Sequence, residues 1–106
     1  MINIRLFCAA GFSTSMLVKK MEVVAKEEGL EVNIQAFSQG KLADHTCGAD
    51  VALLGPQVAY TLPKSKEICK QECVPVEVIP MQAYGSLDGK AVLDFALKTI
   101  ENYKKA

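Results

Sequence analysis

The amino-acid sequence predicts a small doubly wound α/β fold, in which a four-stranded parallel sheet of order 2-1-3-4 carries helices on both faces. Short apolar runs alternate with longer segments of helical periodicity along the 106 residues. The run Val51-Ala52-Leu53-Leu54 is apolar throughout, as is typical of a central strand covered on both faces. The second and fourth runs have the polar alternation or flanking prolines that favour edge strands.

Each strand is predicted from its own pattern. Ile2 to Cys8 starts with alternation and ends apolar, which indicates burial that increases toward Cys8. Glu31 to Phe37 alternates polar and apolar side chains, so one side of this strand should be less buried. Val76 to Ile79 lies between two prolines and should form the other edge.

The first helix is predicted over Met16 to Glu28, which has apolar side chains at helical spacing and charged ones between them. Ser13 or Thr14 can cap its first turn. The positive end of the helix would then point back at Cys8.

The later segments also favour helices. Ser38 to Gly48 is short and polar, which allows a brief helix or a loop. The pattern from Gln57 to Cys73 contains Pro63, which predicts two short helices, the second opened by the proline. Asp88 to Tyr103 has one broad apolar side that ends at Tyr103, with Asp88 as the N-cap.

The composition excludes several classes of function. Twelve acidic residues balance twelve basic ones, so no net charge attracts nucleic acid. No apolar run approaches the roughly 20 residues that span a bilayer, and the start lacks the pattern of a signal peptide. We therefore expect a single domain over residues 1–106 that is soluble, cytoplasmic and monomeric, with no nucleic-acid partner and no membrane insertion.

The four cysteines, Cys8, Cys47, Cys69 and Cys73, are expected to be free thiols, because an unexported chain with ordinary hydrophobic content does not need disulfides. Together with His45 they match no zinc-finger or zinc-ribbon spacing. We therefore expect no metal and no cofactor, and a solvated surface position for His45.

Cys8 is the candidate nucleophile. It ends the first strand, next to the point where the strand order reverses, and ligands of doubly wound sheets bind beyond the carboxyl ends of the strands there. A helix N-terminus beside it would favour the thiolate, and small residues after it can turn backbone N–H groups toward a phosphate. The candidate phosphate-binding residues are Ala9, Ala10, Gly11, Phe12, Ser13, Thr14 and Ser15.

Two further residues are candidates for phosphate contact. Gln57 and Tyr84 are predicted on the loops after the third and fourth strands, which open toward the same mouth as Cys8. The pair Gly55-Pro56 is expected to serve turn geometry.

The chain resembles low-molecular-weight protein tyrosine phosphatases in topology and in a cysteine after the first strand. Those phosphatases carry an arginine six residues beyond the cysteine, where this sequence has Thr14, and an aspartate-proline pair that is missing here. Without the arginine, the phosphoryl transition state lacks a bidentate hydrogen-bond donor. Without the acid, no group protonates the leaving alkoxide. Hydrolysis of phosphotyrosine is therefore disfavoured.

A second resemblance spans essentially the whole chain. It rests on Leu6-Phe7-Cys8, Ala10-Gly11, Ser13-Thr14-Ser15, Ala49-Asp50-Val51, Leu53-Leu54-Gly55-Pro56-Gln57, Tyr60, Tyr84-Gly85 and Asp88-Gly89. Together these pieces resemble the IIB component of the lactose and cellobiose class of the sugar phosphotransferase system, and specifically a separate cellobiose or chitobiose type of domain.

The resemblance implies a carrier of phosphate. Cys8 would accept a phosphoryl group from a histidine of a IIA protein and pass it to a β-glucoside-type disaccharide on a IIC membrane transporter, which the carrier would meet transiently at the inner face of the membrane. The chain would then be a phosphotransferase component with a phosphocysteine intermediate. A carrier should resist hydrolysis, which agrees with the missing arginine and acid.

Two alternatives stay open at this point. One is a phosphatase of the low-molecular-weight type, which would use the same loop. The other is a thiol-based redox or regulatory binding module, for which the four cysteines are the only support.

Overall fold

The computed structural model describes residues 1–9 and 11–105, without the side chains of residues 11–14. Its strands are β1 Ile2–Cys8, β2 Val32–Ser38, β3 Val51–Leu54 and β4 Val76–Val78. All neighbouring strands are parallel, and the order β2-β1-β3-β4 confirms the predicted sheet. The edge positions of β2 and β4 are confirmed as well.

The α-helices of the described residues are α1 Gly11–Glu27, α2 Leu42–His45, α3 Leu62–Gln71, α4 Met81–Gly85 and α5 Gly89–Lys105. Turns of 3₁₀-helix cover Gln39–Lys41 and Pro56–Thr61. The two short helices predicted around Pro63 are confirmed, with the proline in the first turn of α3, where its missing N–H costs no hydrogen bond. None of these helices is both long and apolar enough to cross a membrane.

Three local predictions are wrong. α1 starts at Gly11 rather than Met16, so Ser13 and Thr14 lie within its first turn instead of capping it. First-turn N–H groups need no intrahelical acceptor, so hydroxyl residues are tolerated there as well as at the cap. The segment with Tyr84 forms α4 rather than a loop. Tyr103 at the end of α5 is 42% exposed and lies outside the core.

The core has two layers, one on each face of the sheet. One layer packs β1 and β3 against α1 and α5 and contains Ile4, Leu6, Val51, Leu53, Leu17, Met21, Val92, Leu93 and Ala96. The other packs the sheet against α2 and α3 and contains Phe7, Ala52, Leu54, Leu42 and Cys69. β1 and β3 are thus covered on both faces, as their sequences predict.

Asp50 joins the amino ends of β1 and β3. Its carboxylate accepts a hydrogen bond from the backbone N–H of Asn3 at 2.7 Å, and its own N–H donates to the Asn3 carbonyl at 2.8 Å. These two hydrogen bonds join the residues directly before Ile4 and Val51, which are the first paired residues of β1 and β3. A hydrogen bond to a charged acceptor is stronger than a neutral one, so Asp50 helps to fix the register of the central strands.

His45 is half-buried rather than a freely solvated surface residue. Its ring stacks on Phe37, with the centroids 3.8 Å apart and the planes 9° from parallel. The guanidinium carbon of Arg5 lies 5.9 Å from the centroid of the same Phe37 ring, and Arg5 donates to the His45 carbonyl at 3.3 Å. The aromatic stack explains why this histidine is partly withdrawn from solvent.

Helices α1 and α5 approach closely at Gly89, the first residue of α5. A Cβ atom on Gly89 would lie 2.6 Å from the Lys20 carbonyl carbon and 2.8 Å from the Met21 nitrogen. Both are backbone atoms of α1, which cannot move aside as a side chain can. The predicted N-cap of α5 is confirmed beside this contact, because Asp88 Oδ1 accepts from the Ala91 N–H at 3.0 Å.

We predict that Gly89→Ala lowers the free energy of unfolding by about 2 kcal/mol, because the added methyl group forces α1 away from α5. Urea denaturation measures the change. Gly85→Ala is the matched control, since a Cβ there meets nothing within 4 Å. A Gly89→Ala protein as stable as this control would contradict the close helix contact.

Cys69 is a fully buried thiol between α3 and the sheet. Burial disfavours the thiolate and raises the pKa of Cys69 from 9.0 to about 11. The folded protein therefore holds this proton more tightly than the unfolded chain does. The resulting stability is present below pH 9 and is lost as the pH rises through 11.

We expect Cys69→Ala to remove this part of the alkaline loss of stability. Between pH 9 and 11 the wild-type free energy of unfolding should fall by up to about 3 kcal/mol more than that of the variant. Denaturation at a series of pH values tests this, with the exposed Cys47→Ala as control. Equal pH slopes for wild type and Cys69→Ala would refute the assignment.

Candidate functional site

Cys8 is the last residue of β1 and lies between the ends of β2 and β3. It is opposite Ser38 in the register with β2, and the residue is only 2% exposed. The strand order reverses between β1 and β3, so the cysteine is at the switch point of the sheet, as the sequence predicts. All four cysteines are free thiols, which confirms that expectation.

Gly55 packs directly against the sulfur of Cys8. A Cβ atom on Gly55 would lie 2.8 Å from Cys8 Sγ and 3.3 Å from Cys8 Cβ, distances that ordinary side chains do not reach. The backbone N–H of Gly55 donates to the Phe7 carbonyl at 2.9 Å, which holds this segment beside the end of β1.

The turn expected at Gly55-Pro56 is present, since the Val58 N–H donates to the Gly55 carbonyl at 3.0 Å, and Gly55 also leaves room for Cys8 Sγ. Its φ of −64° and ψ of 150° are open to any residue, so the missing side chain is needed for space and not for backbone freedom. Gly55 is therefore required for steric reasons. In the sequence, the feature that indicates this is a glycine directly after a central strand.

The carboxamide of Gln57 belongs to the same place. Gln57 Oε1 lies 2.9 Å from the point that a Gly55 Cβ would occupy, on the glycine that also contacts Cys8 Sγ. The residue is exposed, and its carboxamide oxygen lies against the same glycine as Cys8 Sγ. The structure thus brings together Cys8, Gly55 and Gln57 at the mouth of the switch point.

Helix α1 begins three residues after Cys8 in the sequence, at Gly11. An N-terminus of this kind carries unpaired N–H groups and a partial positive charge, which together favour anions. Of the predicted phosphate-binding residues, Ala9 and Ser15 are described and both are exposed. Ala10 lies outside the described residues, as do the side chains of Gly11, Phe12, Ser13 and Thr14.

Tyr84 differs from its predicted setting. It lies in α4, is 7% exposed and belongs to the core layer that also contains Cys8. The sequence predicted an open loop because Gly85 follows directly, but Pro80 precedes the first residue of a short helix that Gly85 ends. Tyr84 therefore approaches the cysteine end of the sheet from inside the protein.

Three large apolar side chains near the carboxyl end of the sheet are exposed. Tyr60 follows β3 and is 81% exposed, Met81 follows β4 and is 73% exposed, and Met16 in the first turns of α1 is 55% exposed. All three elements start at the end of the sheet where Cys8 lies. A single exposed apolar side chain is ordinary, but three on elements that start at one end of the sheet make that end a candidate surface for contact with another protein.

No group of three or more histidine, cysteine, aspartate or glutamate side chains within residues 1–9 and 11–105 could hold a metal ion. At this site the described side chains supply one thiol and a neighbouring carboxamide, and α1 begins three residues after the thiol. Such a thiol can act as a nucleophile toward an anionic electrophile that the N–H groups hold.

Comparisons with known proteins agree with this arrangement. Residues 3–95 match the family model for the lactose/cellobiose-specific IIB subunit of the phosphotransferase system. The chain is 39% identical to the oligo-β-mannoside-specific EIIB component of Bacillus subtilis, over 96% of this chain and 99% of that protein. It is 42% identical to the galactose-specific EIIB component of Lactococcus lactis, over 85% and 88% of the two chains.

Solved structures give the same picture. The solution structure of a cellobiose-specific IIB component from Borrelia burgdorferi superposes with a TM-score of 0.79 at 36% identity. The match covers 96% of this chain and 94% of the Borrelia chain. Fold and sequence therefore agree over nearly the whole length.

We predict that Gly55→Ala destabilises the protein by about 1–3 kcal/mol, because its methyl group would overlap Cys8 Sγ. Thermal and urea denaturation measure the loss. Gly40→Ala serves as the matched control, since a Cβ at Gly40 meets nothing within 4 Å. Equal stability of the two variants would show that the sulfur does not occupy this position.

Proposed function

Because the chain belongs to the lactose/cellobiose-specific IIB family of the sugar phosphotransferase system, we propose that Cys8 is the residue that carries the phosphoryl group. Members of this family are phosphotransferases that work with IIA and IIC partners. The observation that supports the assignment is the position of Cys8 Sγ at the switch point, against Gly55 and beside the start of α1.

The first step transfers phosphate from the donor to the thiol. The Cys8 thiolate attacks phosphorus in the phosphohistidine of a IIA protein. An S–P bond forms, the P–N bond breaks, and the electron pair of that bond returns to the imidazole nitrogen. Backbone N–H groups from Ala9 to Ser15 would hold the phosphoryl oxygens as charge shifts between them.

The second step passes phosphate to the sugar. A hydroxyl of the sugar bound at the IIC protein attacks phosphorus and loses its proton to a base of that site. The O–P bond forms, the S–P bond breaks, and Cys8 leaves as the thiolate, ready for the next cycle. No oxidant, metal or cofactor is needed for the balance of either step.

We propose a β-glucoside-type disaccharide of the cellobiose or chitobiose class as the sugar. The Borrelia structure is of a cellobiose-specific component, whereas the other two relatives are specific for oligo-β-mannoside and galactose. This spread among similar chains is expected if the IIC protein, rather than the phosphate carrier, contacts the sugar.

A phosphatase of the low-molecular-weight type is not favoured. Position 14 is threonine, so the loop lacks the guanidinium that would clamp the equatorial oxygens during hydrolysis. The carboxylate of Asp50 accepts a hydrogen bond from Asn3 at the amino end of the sheet and so supplies no acid beside Cys8. The site therefore supports transfer between partners better than attack by water.

Gln57 and the exposed apolar group complete the proposal. We assign Gln57 to phosphate contact, because its carboxamide oxygen and Cys8 Sγ both lie against Gly55. Tyr60, Met81 and Met16 form the surface that meets the IIA and IIC proteins in turn. The carrier would act as a monomer in the cytoplasm and reach the membrane only through IIC.

Phosphorylation in vitro tests the assignment. The protein is incubated with phosphoenolpyruvate, the general phosphate carriers and a IIA protein of the same class, and the phosphorus NMR spectrum is recorded. We expect a thiophosphate resonance in the wild type, and its complete loss in Cys8→Ala and Cys8→Ser because no sulfur remains at the site.

The other thiols supply the control. Cys47→Ala removes an exposed cysteine and should leave the thiophosphate signal unchanged. A signal that survives in Cys8→Ser would contradict the proposal. Release of phosphate from an aryl phosphate without partner proteins would instead favour the phosphatase.

A further inference from the structure

A groove lies beside the start of β4, the edge strand on the opposite side of the sheet from β2. It has a volume of about 620 Å³ and is formed between α3, α5 and the start of β4. We call it the edge groove. The residues that define it here are Lys66, Lys70, Val76, Phe95, Lys98 and Tyr103.

The charges of the edge groove are predominantly positive. Three lysines line it, from α3 and α5, against the single carboxylate of Glu77. Lys66 pairs with Glu77 at 3.5 Å, whereas Lys70 and Lys98 form no ion pair within the described part of the chain. Both unpaired lysines are exposed, so they can meet an anionic partner without loss of an existing contact.

The groove also offers apolar surface. Phe95 is half-buried and Tyr103 is 42% exposed, although the pattern of α5 predicts both on its apolar side. Phe95 packs in part on the core layer beneath α5, and both side chains line the groove together with the lysines of α3 and α5. A partner that combines carboxylates with apolar side chains would complement both features.

The backbone of β4 favours an extended partner. The Pro75 carbonyl accepts from Ala52 at 2.9 Å, and the Ile79 N–H donates to Leu54 at 2.8 Å, so these peptide groups face β3. Peptide groups alternate along a strand, which directs those of Val76 and Val78 to the open side. The Lys66–Glu77 pair beside them is exposed and costs little to open.

We propose that the edge groove binds an acidic, extended segment of a partner protein, which adds to β4 as a further strand. Its carboxylates would pair with Lys70 and Lys98, and an apolar side chain would pack on Phe95 and Tyr103. This inference does not depend on the proposed chemistry of Cys8. The groove itself lies beside the start of β4, whereas Cys8 is the last residue of β1.

An NMR titration tests the proposal with a defined probe. Uniformly ¹⁵N-labelled protein is titrated with a short capped peptide in which glutamate alternates with leucine. We expect saturable shifts of the Val76 and Val78 amides. Lys70→Glu with Lys98→Glu should weaken binding by about tenfold or more, because two attractive contacts become repulsive.

The matched control reverses two exposed lysines elsewhere, Lys19→Glu with Lys41→Glu, which gives the same change in net charge. In a buffer whose salt screens the effect of net charge, this variant should bind the peptide within about twofold of the wild type. Equal weakening in both double variants, equal binding of a lysine–leucine peptide, or no saturable shift would overturn the proposal. Shifts confined to the residues around Cys8 would overturn it too.

Discussion

The contact between Cys8 Sγ and Gly55 is the constraint on which the site depends. A sulfur atom at the end of a central strand would normally be covered by the side chain of the neighbouring strand. Here the neighbour is Gly55, and both the sulfur and the carboxamide oxygen of Gln57 lie against the point that its Cβ would occupy. The register of β1 and β3, fixed by Asp50 at one end and by the Gly55 N–H at the other, places that glycine beside the cysteine.

A second glycine positions the helix that faces the cysteine. α1 lies over β1 because α5 holds it there, and the two helices approach most closely where Gly89 meets the backbone of Lys20 and Met21. The N-terminus of α1 is therefore oriented by packing at a point well inside the helix. Gly55 makes room for Cys8 Sγ, and Gly89 makes room for the backbone of α1, the helix that begins three residues after Cys8.

Much of this arrangement follows from the sequence. Apolar runs identify β1 and β3, and the edge strands follow from polar alternation and prolines, which is why Cys8 could be placed at the switch point. The role of Gly55 could not be predicted, because its contact joins residues far apart in the chain and its backbone angles are ordinary. The surroundings of Tyr84 and His45 were predicted wrongly for a related reason. Tyr84 is buried by packing and His45 is half-buried by stacking on Phe37, and both are tertiary contacts.

β4 is an edge strand whose outward peptide groups are not paired with another strand of the sheet. An open edge risks pairing with another copy of the chain, and short strands, prolines and lysines are common protections. β4 has all three, with Pro75 before it, Pro80 after it and Lys66, Lys70 and Lys98 around it. Positive charge repels an identical edge but attracts an acidic strand, so the same lysines discriminate against self-association and in favour of one class of partner. That selectivity is what distinguishes a docking groove from an edge that is merely protected.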